Sequence, residues 1–195
     1  GRDRFFLDPG HMSPMLYAGL AMRGFFTLDD LQQFRQWGSV TPGHPELDVA
    51  RGIENSSGPL GQGHAIAAGA AVAEKFLEAR LGSTMMQHKI YAYISDGAVE
   101  EEISQGVGRI AGNLGLNNLI MFYDSNDIQL STECGVVMTE NTEMKYQAWG
   151  WNVIKINGND VAQIREALTA AQQEQERPTL IIGKTVMGKG ALRAD

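Results

Sequence analysis

The sequence predicts an α/β fold, a doubly wound, mainly parallel sheet flanked by helices. Three observations carry this. Four β-rich apolar runs, at 89–94, 118–123, 151–156 and 179–184, are separated by stretches of helical period. Two of those runs stop at polar residues, Ser95-Asp96-Gly97 after the first and Asp124-Ser125-Asn126-Asp127-Ile128 after the second. In a parallel sheet such breaks fall at the carboxyl ends of neighbouring strands, where open α/β sheets bind ligands. Finally, Pro and Gly are concentrated in one aperiodic stretch, 39–63, with helical pattern on either side.

Along the chain, Ser13-Pro14 predicts a helix start, with Ser as N-cap and Pro at the first helical position, and the apolar pattern runs to about Met22. A second helix is expected after Thr27, with Asp29 and Asp30 in its first turn, ending near Trp37. Ser39–Gly63 reads as loop, and a loop of that length in a compact domain is usually functional or else a misreading of the pattern. Helix is predicted again from His64 to about Leu81, then at 98–114, at 140–149 and from Asp160, its cap, to about Gln175. The loop after the second strand extends to about Val137.

Composition narrows the function classes. At 195 residues and 43% hydrophobic content, the chain can bury one sizeable core, so a single domain over 1–195 is the expectation. A formal charge of −7, with acidic residues spread along the chain, argues against a nucleic-acid surface. No apolar run reaches the span of a membrane helix and no signal peptide opens the chain. Cys134 is the single cysteine, which suits a reducing compartment, and the cytoplasm is the expected location. There is no initiator Met, and Gly188-Lys189-Gly190 reads as a loop leading onward, so a fragment truncated at both ends is expected.

The two strand-end breaks carry the chemistry. Asp96 supplies a carboxylate, and the helix start at Gly97 offers free N–H groups and a positive dipole end to an anion. Asn126 supplies an amide oxygen, and the segment around it an exposed backbone carbonyl. Few, hard oxygen donors suit a Mg2+ that takes its remaining ligands from a phosphate. Each residue also has a plainer role. Asp96 suits an N-cap, Asn126 a turn, and Glu100-Glu101-Glu102 a first helical turn. The two breaks together favour a shared metal–diphosphate site.

A glycine-rich loop, Gly58-Pro59-Leu60-Gly61-Gln62-Gly63, precedes the Ala-rich helix and would let the backbone approach a ligand, with the helix start again favouring an anion; a tight turn against the core is the simpler alternative. His11 follows Pro9-Gly10, and His44 lies within Thr41-Pro42-Gly43-His44-Pro45-Glu46. Imidazoles framed in this way suit hydrogen bonding to hydroxyls or phosphates and proton transfer near neutral pH. His64 and His88 are expected to be surface or turn histidines without a role.

With these residues in view, the chain resembles a known family. SDG at 95–97 paired with NDI at 126–128 is similar to the thiamine-diphosphate motif, which usually begins GDG. DPGHMSPMLYAGL, FRQWGSVTPGHPE and SSGPLGQG resemble the transketolase family in particular; DRF at 3–5 and KTVMGKG at 184–190 agree. The resemblance runs through all 195 residues and covers less than a third of a full family chain.

The resemblance implies thiamine diphosphate and Mg2+ (or Ca2+ or Mn2+), the metal held by Asp96, the Asn126 side chain and the Ile128 carbonyl. It implies that Gly97 donates its N–H to the diphosphate, that Gly58, Pro59 and Leu60 line the cofactor, and that His11 approaches the diphosphate and the reacting centre. His44 would contact donor hydroxyls and help move protons. The implied reaction transfers a two-carbon ketol unit between sugar phosphates in the pentose phosphate pathway, with the cofactor supplying the carbanion chemistry. A homodimer or a partner subunit would supply the pyrimidine-binding domain, so the fragment alone is expected to be inactive.

Glu101 matches a family glutamate near the dimer contact. Ser95 replaces the first Gly of GDG, Glu102 stands where Gly is usual, and Gly106 replaces a further glutamate, which puts an acidic relay between sites in doubt. Two alternatives stand beside this reading. One is another thiamine-diphosphate enzyme, such as a dihydroxyacetone synthase or deoxyxylulose-phosphate synthase; the other is a non-catalytic cofactor-binding or dimerisation module. TPGHPE favours transketolase or the dihydroxyacetone enzyme.

Overall fold

The computed structural model describes residues 2–130 and 132–191; Ser131, within the loop read at 124–137, and the chain end at Asp195 lie outside them. Strands β1 (Arg4–Leu7), β2 (Ile90–Ser95), β3 (Leu119–Ser125), β6 (Asn152–Asn157) and β7 (Thr179–Lys184) form one sheet in the order β1-β2-β3-β7-β6. Every pairing in it is parallel. The hairpin strands β4 (Ile128–Gln129) and β5 (Thr132–Glu133) stand apart from it. The helices are α1 (Ser13–Met22), α2 (Leu28–Gln32), α3 (Gln62–Leu81), α4 (Ser83–Met86), α5 (Asp96–Glu100), α6 (Glu102–Asn113), α7 (Cys134–Val137), α8 (Thr142–Ala148) and α9 (Val161–Gln173).

Strand periodicity places the helices. Ile90, Ala92 and Ile94 of β2, Leu119, Met121 and Tyr123 of β3, and Leu180 and Ile182 of β7 face one core with Ala67, Ala68 and Ala71 of α3, Ala111 of α6 and Tyr146 of α8. The alternate residues Ile120 and Ile181 face the other side, against Ala167 and Ala171 of α9. Leu7 and Tyr93, nearer the β1 edge, join Leu16, Tyr17 and Phe26 under α1. Helices therefore cover both faces, and the strands read as apolar on both sides because both are buried.

α6 is seated by tryptophans. Trp151 is 2% exposed and its Nε1–H donates to the Gly108 carbonyl at 2.8 Å. A Cβ on Gly108 would come within 2.8 Å of the Trp149 ring, so the helix can approach this closely only with glycine there.

Several elements differ from the sequence expectation. The sheet has a fifth strand, β1, too short to show a period. Ser13 opens α1 rather than capping it, and its hydroxyl donates instead to the Gly43 carbonyl at 2.6 Å. α2 stops at Gln32, well before Trp37; Thr27 and Asp30 form a reciprocal capping box at its start, and Arg35 beyond it adopts φ 64°. The helix expected at 98–114 begins at Asp96 and is broken at Glu101, whose ψ of 136° is extended. The loop after β3 contains the β4–β5 hairpin, entered through Asp127 at φ 64°.

Candidate functional site

The carboxyl ends of β1, β2 and β3 each deliver a buried carboxylate: Asp8, Asp96 and Asp124. Register makes the last two neighbours, because Ser95 pairs with Asp124 and Asp96 follows at once as the first residue of α5.

Asp96 is held at both oxygens. Its Oδ1 accepts from the Tyr123 hydroxyl at 2.6 Å, and its Oδ2 accepts from the Asn126 backbone N–H at 3.0 Å. Burial, with the Asp96 charge nearby, pushes the Cys134 thiol up to about 12. Burial and the Asp96 bond push the Tyr123 phenol well above its ordinary value, so it remains a donor at neutral pH. Asn126 turns its Oδ1 to the Ile128 N–H at 3.0 Å, so the side-chain oxygen closes a local turn. The three oxygen donors expected from the sequence, Asp96, Asn126 and Ile128, thus form one hydrogen-bonded run. Each accepting side-chain oxygen keeps a second lone pair. Among the described residues no group of three or more His, Cys, Asp or Glu is placed to hold a metal. A set of one carboxylate, one carboxamide and one carbonyl is of a different kind, suited to a hard cation with outside ligands.

Asp124 is fixed by the Thr185 hydroxyl on its Oδ1. Burial and the nearby Asp96 raise its carboxyl above the usual range, partly offset by Thr185 and the Asn126 side chain. Its charge reaches His11, whose pKa is lowered by burial first and by His44 second, with Asp124 opposing. His11, His44 and Asp124 therefore share one neighbourhood.

The glycine loop completes the wall. A Cβ on Gly10 would come within 2.8 Å of His44 Cγ and 2.9 Å of Gly58 Cα. Gly58, at φ 139°, would bring its own Cβ within 2.9 Å of His44 Nδ1. A Cβ on Gly97 would lie 3.3 Å from Leu60 Cδ1. His44 is wedged between two glycines, and the Pro59-Leu60 turn reaches the start of α5. The frame around His44 is tied to α1 by Ser13 and by the Tyr17 hydroxyl, which donates to the Pro42 carbonyl at 2.8 Å. The loop is tied to β1 by Asn55, which accepts from the Leu7 N–H at 3.2 Å and donates to the Leu7 carbonyl at 2.9 Å. Asn55 takes the place of a further strand on that open edge.

Three findings depart from the sequence reading. The start of α3 is not free for an anion, because Asp8 occupies it: its carboxylate accepts from the Gly61 N–H at 3.1 Å and the His64 N–H at 3.2 Å. Asp8 could have been found by reading Arg4–Leu7 as a strand ending in a carboxylate, as β2 and β3 do. His64, expected at the surface, is 1% exposed, and neither ring nitrogen has a partner among the described residues. Tyr123, which holds Asp96, gave no sequence signal beyond its place in an apolar run.

Glu101 lies exposed at the α5–α6 break, against Gly61, and Glu102 opens α6, where a negative charge suits the helix dipole. The space beside Gly106 is open.

An open parallel sheet with a carboxylate, a carboxamide, a glycine-lined gap and two imidazoles on its carboxyl edge defines a cofactor-binding α/β domain. A sequence model of the family described as "Transketolase, thiamine diphosphate binding domain" matches residues 1–195, and the chain belongs to that family. It is 45% identical to transketolase of Geobacillus stearothermophilus over 97% of this chain and 29% of that protein. Against transketolase of Streptococcus pyogenes the identity is 44%, over 97% and 27%. Among solved structures, transketolase from Campylobacter jejuni superposes with a TM-score of 0.92 at 42% identity, covering 99% of this chain and 31% of that one. Transketolase from Leishmania mexicana gives 0.89 at 40%, covering 93% and 28%. The chain thus spans less than a third of each of these relatives. Among the described residues no helix is long and apolar enough to cross a membrane.

Proposed function

We propose that residues 1–195 form one diphosphate-binding domain of a transketolase. The whole protein transfers a two-carbon ketol unit from a ketose phosphate to an aldose phosphate, in the pentose phosphate pathway of the cytoplasm. The observation that carries this reading is the meeting of Asp96 and Asn126 beside Gly97 and Leu60, in a chain of the transketolase family.

The residues fit the cofactor and its metal. Asp96, the Asn126 side chain and the Ile128 carbonyl would hold Mg2+, with Ca2+ or Mn2+ as substitutes, as few, hard oxygen donors suit. Gly97 lies in the first turn of α5, where N–H groups have no helical acceptor, and would donate to the diphosphate together with His11. Gly58, Pro59 and Leu60 line the cofactor through a backbone that a side chain at Gly58 or Gly97 would crowd. When bound, thiamine diphosphate supplies the carbanion chemistry. The protein's part is placement and proton handling. His44, fixed between Gly10 and Gly58, contacts substrate hydroxyls and moves their protons; His11, lowered toward the neutral form by burial and His44, donates or accepts a hydrogen bond beside the diphosphate. The pyrimidine-binding domain comes from the rest of the protein, on a second subunit of a dimer or a separate partner chain.

The test is a coupled assay of the full-length protein with thiamine diphosphate and Mg2+. Turnover of a ketose phosphate donor with an aldose phosphate acceptor is expected. Turnover with formaldehyde but not with an aldose phosphate would point to the dihydroxyacetone synthase class and overturn the proposal.

A further inference from the structure

We infer that Tyr123 is a positioning residue for the metal, holding the Asp96 carboxylate in the orientation that leaves it open to a divalent cation. The inference rests on the reading of Asp96 as a metal ligand. Tyr123 lies on β3 opposite Ile94 of β2, so its side chain rises from the buried face of the sheet directly beneath the first turn of α5. Tyr123 is 5% exposed and Asp96 3% exposed. One oxygen is taken by the phenol at 2.6 Å, and the other by the Asn126 N–H at 3.0 Å.

Donors on both oxygens stop the carboxylate from rotating about its last bond. Both come from β3 or the residues just after it, so the strand that carries Asn126 also sets the angle of Asp96. Each oxygen retains a lone pair for the cation. A Phe at 123 would fill the same space without this donor. Outer partners of this kind typically contribute 10–100-fold in metal affinity.

The experiment compares Mg2+ affinity by calorimetry, in the presence of thiamine diphosphate, for the full-length protein and three variants, with melting of each metal-free form. Y123F is expected to weaken Mg2+ about 10–100-fold. Y146F removes a buried phenol from the same core without touching Asp96, and is expected to bind Mg2+ as the parent does. D96A is expected to lose metal-dependent cofactor retention altogether. Parental affinity in Y123F, with D96A still failing, would overturn the role of Tyr123 and leave the metal reading standing. Parental affinity in D96A would overturn both. Equal weakening in Y123F and Y146F, or a metal-free Y123F that melts well below Y146F, would make Tyr123 a core residue only and overturn the inference.

Discussion

Gly63 rests directly on Asp8: a Cβ at Gly63 would come within 2.6 Å of the Asp8 Cα. This contact brings the start of α3 so close to the end of β1 that the Asp8 carboxylate becomes the cap of the helix. The glycine loop at 58–61 hangs from the same joint, so its position beside His44 and Gly97 follows from it.

Gly63→Ala is therefore expected to push backbone against backbone, with a loss of about 1–3 kcal/mol. Asp8→Ala leaves two buried N–H groups without acceptors, at a similar cost of roughly 1–3 kcal/mol. Thermal melting of the full-length protein checks both. A Gly63→Ala protein that melts with the parent would show that the joint can relax.

His64 makes stability depend on acid. Burial pulls its pKa from 6.5 to about 3, so the folded state stays unprotonated where the unfolded chain takes up a proton. Its contribution is fully present above 6.5 and is lost as pH falls toward about 3. The slope it adds is at most about 1.4 kcal/mol per pH unit. His64→Leu, which also removes two nitrogens without partners among the described residues, is expected to flatten the dependence of the urea midpoint on pH across that window. An unchanged slope would mean that the imidazole is protonated, and partnered, in the folded state.

His44 is exposed, yet its ring is wedged between two glycine backbones. His44→Ala is expected to leave cofactor and Mg2+ affinity intact and to lower turnover by about 10²–10⁴-fold, the usual scale for a lost proton-transfer group. Calorimetry beside steady-state kinetics separates the two. Affinity falling in step with turnover would instead make the ring a spacer for the loop.

Much of the sheet was legible because both faces of the central strands are buried, so Ile90–Ile94, Leu119–Tyr123 and Leu180–Ile182 are continuously apolar. The turn residues after β2 and β3 then marked the site, with Asp96 and Asn126 on it. What was not legible depends on partners distant in sequence. β1 is four residues long, and it is its pairing with β2, eighty-six positions away, that makes it a strand. Ser13 reads locally as a cap but is drawn to Gly43 by the loop fold. At the break, Gly61 lies against Glu101, Ile103 and Ser104, a contact some forty positions apart in the chain that no local pattern near 101 encodes. The burial of His64 follows from Asp8, fifty-six positions away, fixing the first turn of α3.

The central claim is that Asp96 and Asn126 share one divalent cation when the cofactor is present. Anomalous diffraction from crystals of the full-length protein with thiamine diphosphate and Mn2+ tests it directly. The account predicts one peak within about 2.0–2.6 Å of Asp96 and Asn126 side-chain oxygens and the Ile128 carbonyl. A peak elsewhere, with Asp96 still bonded only to Tyr123 and Asn126, would contradict it.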